Sequence, residues 1–396
     1  MKKALLFMLG ILLLLASEIL RVYYIMPFPG SQQSETIALA YWIHSYIWLL
    51  RILGVGIIAY PAYSLFALPK MWGAKITVIV CLLLYAGVAY LLNFKMLAEK
   101  MFYQPETKIL ADASHNSMPP ETVVIGVMLN GEARAYPLEF IGYHHQVRDT
   151  VGGEPVMITY CTVCRTGRVW SPMVNGKNEE FRLVGMDHFN AMFEDATTGS
   201  WWRQVNGEAI TGKLKGTMLR EFPAEQTTLK EWMAHYPKTL VMQPDTKFTE
   251  EYQALNGYAR GKSRSKLTGT SVDSWKPKSW VIGITAGKDA RAYDWNKLLA
   301  MKIINDTLAG APIAVTIGAD SVSFHAFRRM VGSNVLTLTA DSTGSTYIDS
   351  QTQSVWNARG ECIDGTLKGT KLERMQAYQE FWHSWQTFHP ATTQFH

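Results

Sequence analysis

Three long apolar stretches open this chain, and after residue 95 they give way to short apolar runs broken by glycine turns. Ala4 to Ile25, Ile43 to Leu68 and Ile76 to Phe94 each come near the ~20 residues needed to cross a bilayer. They predict a transmembrane region over residues 1–94. Tyr41, Trp42, Tyr46 and Trp48 read as an interfacial aromatic belt. Arg51 and His44 fall toward the start of the second span, where a long side chain snorkels to the interface; a functional charge at Arg51 is the alternative. Lys2, Lys3, Lys70 and Lys75 flank one side and Arg21, Lys95 and Lys100 the other. That bias places the N-terminus inside, and an odd number of spans places residues 95–396 outside. A signal peptide cleaved near Ala16-Ser17 would leave two spans and the same outcome.

The runs beyond residue 122 are rich in Val, Ile, Thr and Tyr. Val123–Val127, Ala133–Leu138, Val156–Tyr160, Arg168–Trp170 and Phe181–Val184 predict strands. Asn130-Gly131 and the Gly152-Gly153 turn make neighbouring strands antiparallel. Helices are expected at Thr228–Tyr236 and Met375–Phe388, each followed by a proline. Residues 95–122 read as a polar connector. Residues 244–279 read as a linker whose Arg260, Lys262, Arg264 and Lys266 solvate a loop.

The pattern occurs twice. Val124–Val127 returns at Val281–Ile284, Ala133–Tyr136 at Ala290–Tyr293 and Asp149-Thr150 at Asp306-Thr307, a constant shift of 157 residues. Farther on, Leu214-Lys215-Gly216-Thr217 returns as Leu367-Lys368-Gly369-Thr370, a shift of 153. This is far longer than a solenoid unit, so each copy should be a domain-sized lobe. The expected fold is α+β, mainly β: two tandem homologous lobes at 123–243 and 280–396 behind a bundle of three transmembrane helices.

Each copy is a control for the other. Cys161 and Cys164 stand opposite Gly318 and Ser321, and His144 and His145 opposite Met301 and Lys302. His188 stands opposite Ser342, while its neighbour Asp187 meets Asp341. Cys-Thr-Val-Cys lies in the turn leaving a strand, where two sulfurs can be aimed at one point. Arg165 follows it, so it is not a c-type haem site. If Gln146–Thr150 pairs with Val156–Tyr160, the histidines fall beside the cysteines. Strand alternation then admits only one of them, the other being a supporting hydrogen-bonder. Cys161 and Cys164 with His144 or His145 and His188 make a ligand set for a copper or zinc ion, serving redox chemistry or metal handling. The alternatives are a metal-free thiol-disulfide oxidoreductase, in which Cys161 attacks and Cys164 resolves, and a binding or assembly module with a structural disulfide. Cys81 in the third span and Cys362, opposite Ala209, read as apolar filler.

The remaining composition narrows the field. A net charge of +5 spread along 396 residues, with no basic block, argues against a nucleic-acid partner. The lipid bilayer and a small-molecule or protein partner are left. No phosphate loop, nucleophile elbow or dinucleotide fingerprint occurs.

The run Val156 to Gly167, with His144-His145 upstream, Phe193 to Trp202 downstream and Phe381 to Pro390 near the end, resembles the bacterial family catalogued as domain of unknown function 3179. The likeness spans about residues 120–395. It implies no established activity but makes the Cys-Cys and His-His positions familial, with Thr162 where members often have Pro. A bacterial source implies a multi-pass protein of the cytoplasmic membrane with its lobes on the periplasmic or extracellular side.

Overall fold

A computed structural model describes residues 2–67, 71–341 and 344–396. Leu68 and Lys70 of the expected membrane region, and Ser342 opposite His188, lie outside the described residues. The chain forms two compact units. The first comprises Met1–Tyr103, Glu179–Arg203 and Glu208–Met218, and the second Gln104–Asn178, Gln204–Gly207 and Leu219–His396. The stretch expected as one lobe, 123–243, is thus shared between them.

In the first unit, Lys2–Tyr23, Ile47–Ala67 and Trp72–Phe94 are long and apolar enough to cross a membrane. Phe7, Ile11, Leu14, Ile58 and Val78 form their common core. Side chains at Gly10 or Gly54 would overlap Ile58 or Leu14, so these two glycines let the first and second spans approach closely. The second span begins at Ile47, and Tyr41, Trp42 and His44 lie on a separate helix, Ile37–Ser45. Arg51 does not simply snorkel. Its Nε and Nη2 donate to both carboxylate oxygens of Glu18 (2.6 and 2.9 Å), and Nη2 also donates to Asn93 Oδ1 (2.9 Å). An ion pair between spans is stabilised more than one in water because little solvent competes for it.

The first unit also holds a sheet of Phe181–Asp187, Asn190–Asp195 and Trp201–Arg203. It is tied to the helical part. Met186 N–H donates to Ile25 O (2.7 Å), and Trp201 meets the rings of Tyr41 and His44 edge-on.

The second unit is mainly strand. Val123–Leu129 and Glu132–Pro137 pair antiparallel, as do Gln146–Val151, Glu154–Cys161 and Thr166–Trp170. Their partners in the later sequence are Trp280–Ala286 with Asp289–Asp294, and Ile303–Leu308, Ala311–Ile317 and Phe324–Arg328. The registers coincide: Val124 faces Pro137 as Val281 faces Asp294, and Gln146 faces Thr159 as Ile303 faces Thr316. Gly152 and Gly153 both take positive φ in the turn that sets the second hairpin.

Two expectations need correction. Residues 138–144 are not strand continuation and loop but a helix, Leu138–His144, matched by Trp295–Met301. The last helix is shorter than expected, Trp382–Phe388, because Tyr378–Phe381 is a strand on Trp280–Gly283. It corresponds to Ala224–Thr228 on Val123–Val127, which leads into Leu229–His235. Each closing helix plants one tryptophan, Trp232 or Trp385, on a strand glycine, Gly126 or Gly283. Any side chain at either glycine would overlap the ring.

Candidate functional site

Cys161 ends its strand opposite Thr166, and Thr162 to Arg165 form the turn. Arg165 takes the left-handed conformation (φ 58°) that lets so short a turn close. Its guanidinium stacks on the Trp280 ring at 3.6 Å and donates to Gln379 Oε1 and to the carbonyls of Tyr258 and Ala259, which locks the turn. Every carbonyl in the turn from Thr162 to Cys164 is gripped. Tyr258 Oη donates to Thr162 O (2.8 Å), Lys278 Nζ and His383 Nε2 reach Val163 O (2.7 and 3.3 Å), and Phe381 N–H donates to Cys164 O (2.9 Å).

Both cysteines are fully buried, and neither is in a disulfide. Burial pushes the Cys164 thiol well up. Of the side chains around Cys164, Cys161 raises its pKa and Ser384 lowers it. The Lys278 ammonium donates to Val163 O, between the two cysteines. Desolvation lowers it to about 8, and the sulfurs pull it back up. Behind Ser384 its hydroxyl donates to Glu380 Oε2 (2.9 Å), and Glu380 Oε1 accepts from Arg168 Nη2 (2.5 Å). Arg168 lies over the Tyr378 ring at 3.5 Å, and Tyr378 Oη donates to Glu221. A fully buried charge pair of this kind holds only when the remaining valences are satisfied, and here they are.

The two histidines do not follow strand alternation. His144 is the last residue of its helix, and His145 is its left-handed cap (φ 61°). The alternation argument therefore does not apply to them. Tyr160 N–H donates to His145 O (3.1 Å), which places the His145 backbone across the ladder from the residue before Cys161. His145 Nδ1 donates to Tyr143 O (3.0 Å), and burial drops its pKa to about 4. His144 Nε2 meets Tyr252 Oη at 2.6 Å among the rings of Tyr143, Phe248 and Tyr252. His188 belongs to the first unit. There it sits at φ 49° with Nδ1 2.6 Å from Asp187 Oδ1 and Nε2 3.7 Å from Glu35, and Asp187, which also pairs with Arg203, raises its pKa. Cys362 donates to Asp364 O. Among the described residues, no three His, Cys, Asp or Glu side chains form a group that could hold a metal ion.

Lys278, Glu380, His383, Ser384 and Arg168 escaped the reading of the sequence, although the signal was in it. In the twin, these positions are Glu121, Thr227, Lys230, Glu231 and His325. The comparison that singled out the cysteines singles them out as well.

The molecule is thus a protein with three helices fit to cross a membrane, carrying a mainly β body with a buried, charge-flanked cysteine pair. The chain belongs to a protein family of unknown function, domain of unknown function 3179, whose model matches residues 102–392. No curated protein and no solved structure matches it.

Proposed function

We propose that this protein is a membrane-anchored thiol redox protein in which Cys161 and Cys164 pass between dithiol and disulfide on the outer side of a bacterial cytoplasmic membrane. The observation that carries this reading is the surroundings of the turn: Lys278 Nζ donates to Val163 O between the two cysteines (2.7 Å), and the buried Ser384–Glu380–Arg168 chain flanks Phe381, whose N–H holds Cys164 O. A disulfide that merely stapled a turn would need neither. The twin turn is held by ordinary polar bonds, with Asp320 accepting from Ser323 (2.6 Å) and Thr228 (2.8 Å). The raised Cys164 thiol suits the resolving role and leaves the attack to Cys161, whose thiolate Lys278 favours electrostatically. Since both sulfurs are buried, a partner reaches them when the linker carrying Tyr258 and Lys278 lifts from the turn.

The pairing of two sulfurs beside a cation favours one second reading. Two soft thiolates with Lys278 balancing their charge would hold a copper ion in its monovalent state. Purified full-length protein, titrated through defined thiol-disulfide buffers and assayed for bound metal, separates the two. A reversible two-electron transition lost in Cys161→Ser supports redox cycling. Stoichiometric copper that blocks thiol labelling supports the metal reading and overturns the first.

A further inference from the structure

The charged side chains of the three long helices gather at one end of the bundle. Glu18 and Arg21 lie in the last two turns of Lys2–Tyr23, Arg51 lies early in Ile47–Ala67, and Asn93 is next to last in Trp72–Phe94. All four line one cavity of about 580 Å³ within the first unit, with the exposed rings of Trp48, Tyr90 and Phe94 around it. A helix of 22 residues rises about 33 Å against a hydrocarbon core of about 30 Å. Its last turn therefore reaches the depth at which lipid phosphates lie, and Trp48 and Tyr90 suit that depth.

The charges at the cavity do not balance. Glu18 is saturated: Oε1 accepts from Arg51 Nε (2.6 Å) and Tyr85 Oη (3.4 Å), and Oε2 from Arg51 Nη2 (2.9 Å) and Asn93 Nδ2 (2.8 Å). The first unit has four arginines, Arg21, Arg51, Arg182 and Arg203. Arg51 pairs with Glu18, Arg182 with Glu99 and Glu194, and Arg203 with Asp187. Arg21 pairs with no carboxylate among the described residues. Its Nη1 donates to the neutral Asn93 Oδ1 (2.6 Å), and its Nε is buried without a hydrogen-bond partner. Arg51 uses its Nε edge to grip both oxygens of Glu18, so the matching edge of Arg21 is a fork still open to an oxyanion.

We propose that this cavity binds the headgroup phosphate of an anionic bilayer lipid, one per chain, with Arg21 as its counterion. The proposal rests on the anchoring of the chain in a membrane and is independent of the redox reading. Two guanidinium groups against one carboxylate leave one positive charge, which a phosphodiester neutralises. A headgroup that carries its own ammonium brings no net charge and gains less. The rings of Trp48, Tyr90 and Phe94 flank the lipid's glycerol and upper acyl carbons, which a free phosphate lacks.

The test uses the full chain, delipidated in a neutral detergent and examined by native mass spectrometry with phosphatidylglycerol, phosphatidylcholine or inorganic phosphate as probe. One phosphatidylglycerol per chain should be retained, with phosphatidylcholine and inorganic phosphate each bound at least about 10-fold more weakly, the worth of one charge-assisted hydrogen bond. Arg21→Gln should weaken phosphatidylglycerol by about 10- to 100-fold, while Lys3→Gln, at the other end of the same helix, should leave it unchanged. Arg21→Lys, which keeps the charge and loses the fork, should fall between parent and Arg21→Gln and carries the test if Arg21→Gln does not fold. Equal retention of phosphatidylcholine, or parental binding in the Arg21 variants, overturns the site. Inorganic phosphate bound as tightly as the lipid overturns the lipid as occupant. Each of these outcomes leaves the redox reading where it stands.

Discussion

The turn Cys161–Thr166 and its counterpart Gly318–Ser323 are held by the same device with different chemistry. Each is clasped by the start of the other copy's closing segment, through Phe381 and His383 in one case and Thr227 and Thr228 in the other. Behind the first clasp stand Arg168, Glu221, Tyr378 and Glu380. The matching positions behind the second hold His325, Arg374, Glu225 and Thr227, and there Glu225 pairs with both Arg374 and Arg359. The second clasp shows what the fold needs: small hydroxyls and one aspartate close the turn. Whatever the first contains beyond that is not needed to close the turn. The thiols, Lys278 and the buried Arg168–Glu380 pair are the excess.

The largest effect separating the clasps should come from Arg168. Replacement by Met leaves Glu380 without its guanidinium partner in a dry interior, a loss of about 3–5 kcal/mol. Chemical denaturation of the detergent-solubilised chain should show it, and adding Glu380→Gln in the same chain should recover much of it. His325→Phe, the matching change in the twin, should cost far less, since burial already holds that imidazole neutral with its pKa near 3. Equal costs at the two sites would mean that the first clasp carries no special charge load.

A prediction of intermediate size probes what the copies share. Gly126→Ala and Gly283→Ala each push a methyl into the ring of a closing-helix tryptophan, and overpacking of this kind costs about 1–3 kcal/mol. The two losses should be similar. A large loss at one position only would show that the copies do not rest on the same packing, and would weaken the use of one as a control for the other.

How much of this could be read from the chain follows the range of the interactions. Strands, turns and the cysteine pair are local patterns of period two and glycine spacing, and they were legible. The helix Leu138–His144 was not, because its N-cap position, Pro137, makes no side-chain capping bond and its seven residues are nearly all buried, which erases any amphipathic stripe. Tyr378–Phe381 reads as helix in the sequence because its strand character comes from pairing with Trp280–Gly283, far back in the chain. Arg51 looked like an interfacial side chain until Glu18 and Asn93 came from other helices to meet it. The site split the same way. The sulfurs showed, while Lys278, Glu380 and Ser384 lie more than a hundred residues later and reach Cys164 only through the fold. The twin alignment contained them nonetheless, since a Lys opposite Glu121 and a Glu opposite Thr227 are as asymmetric as a Cys opposite Gly318.

The smallest effect concerns the left-handed cap shared by the copies, His145 (φ 61°) in one and Lys302 (φ 64°) in the other. Lys302 is half-buried, while His145 is fully buried with its pKa lowered from 6.5 to about 4 by desolvation. Below pH 6.5 the unfolded chain binds a proton at this residue and the folded chain does not. Stability from His145 is therefore complete above 6.5 and drains away as the pH falls toward 4. At pH 5.5 the loss is about 1.4 kcal/mol. His145→Asn, which tolerates positive φ, should flatten the fall in stability between pH 6.5 and 4 by one proton's worth, while Lys302→Asn leaves it untouched. His383, lowered to about 4 by burial, contributes equally to all three chains and cancels. An unchanged slope in His145→Asn would mean that the imidazole takes up its proton in the folded state as readily as in the unfolded chain. The dithiol turn would then be wetter than its burial implies.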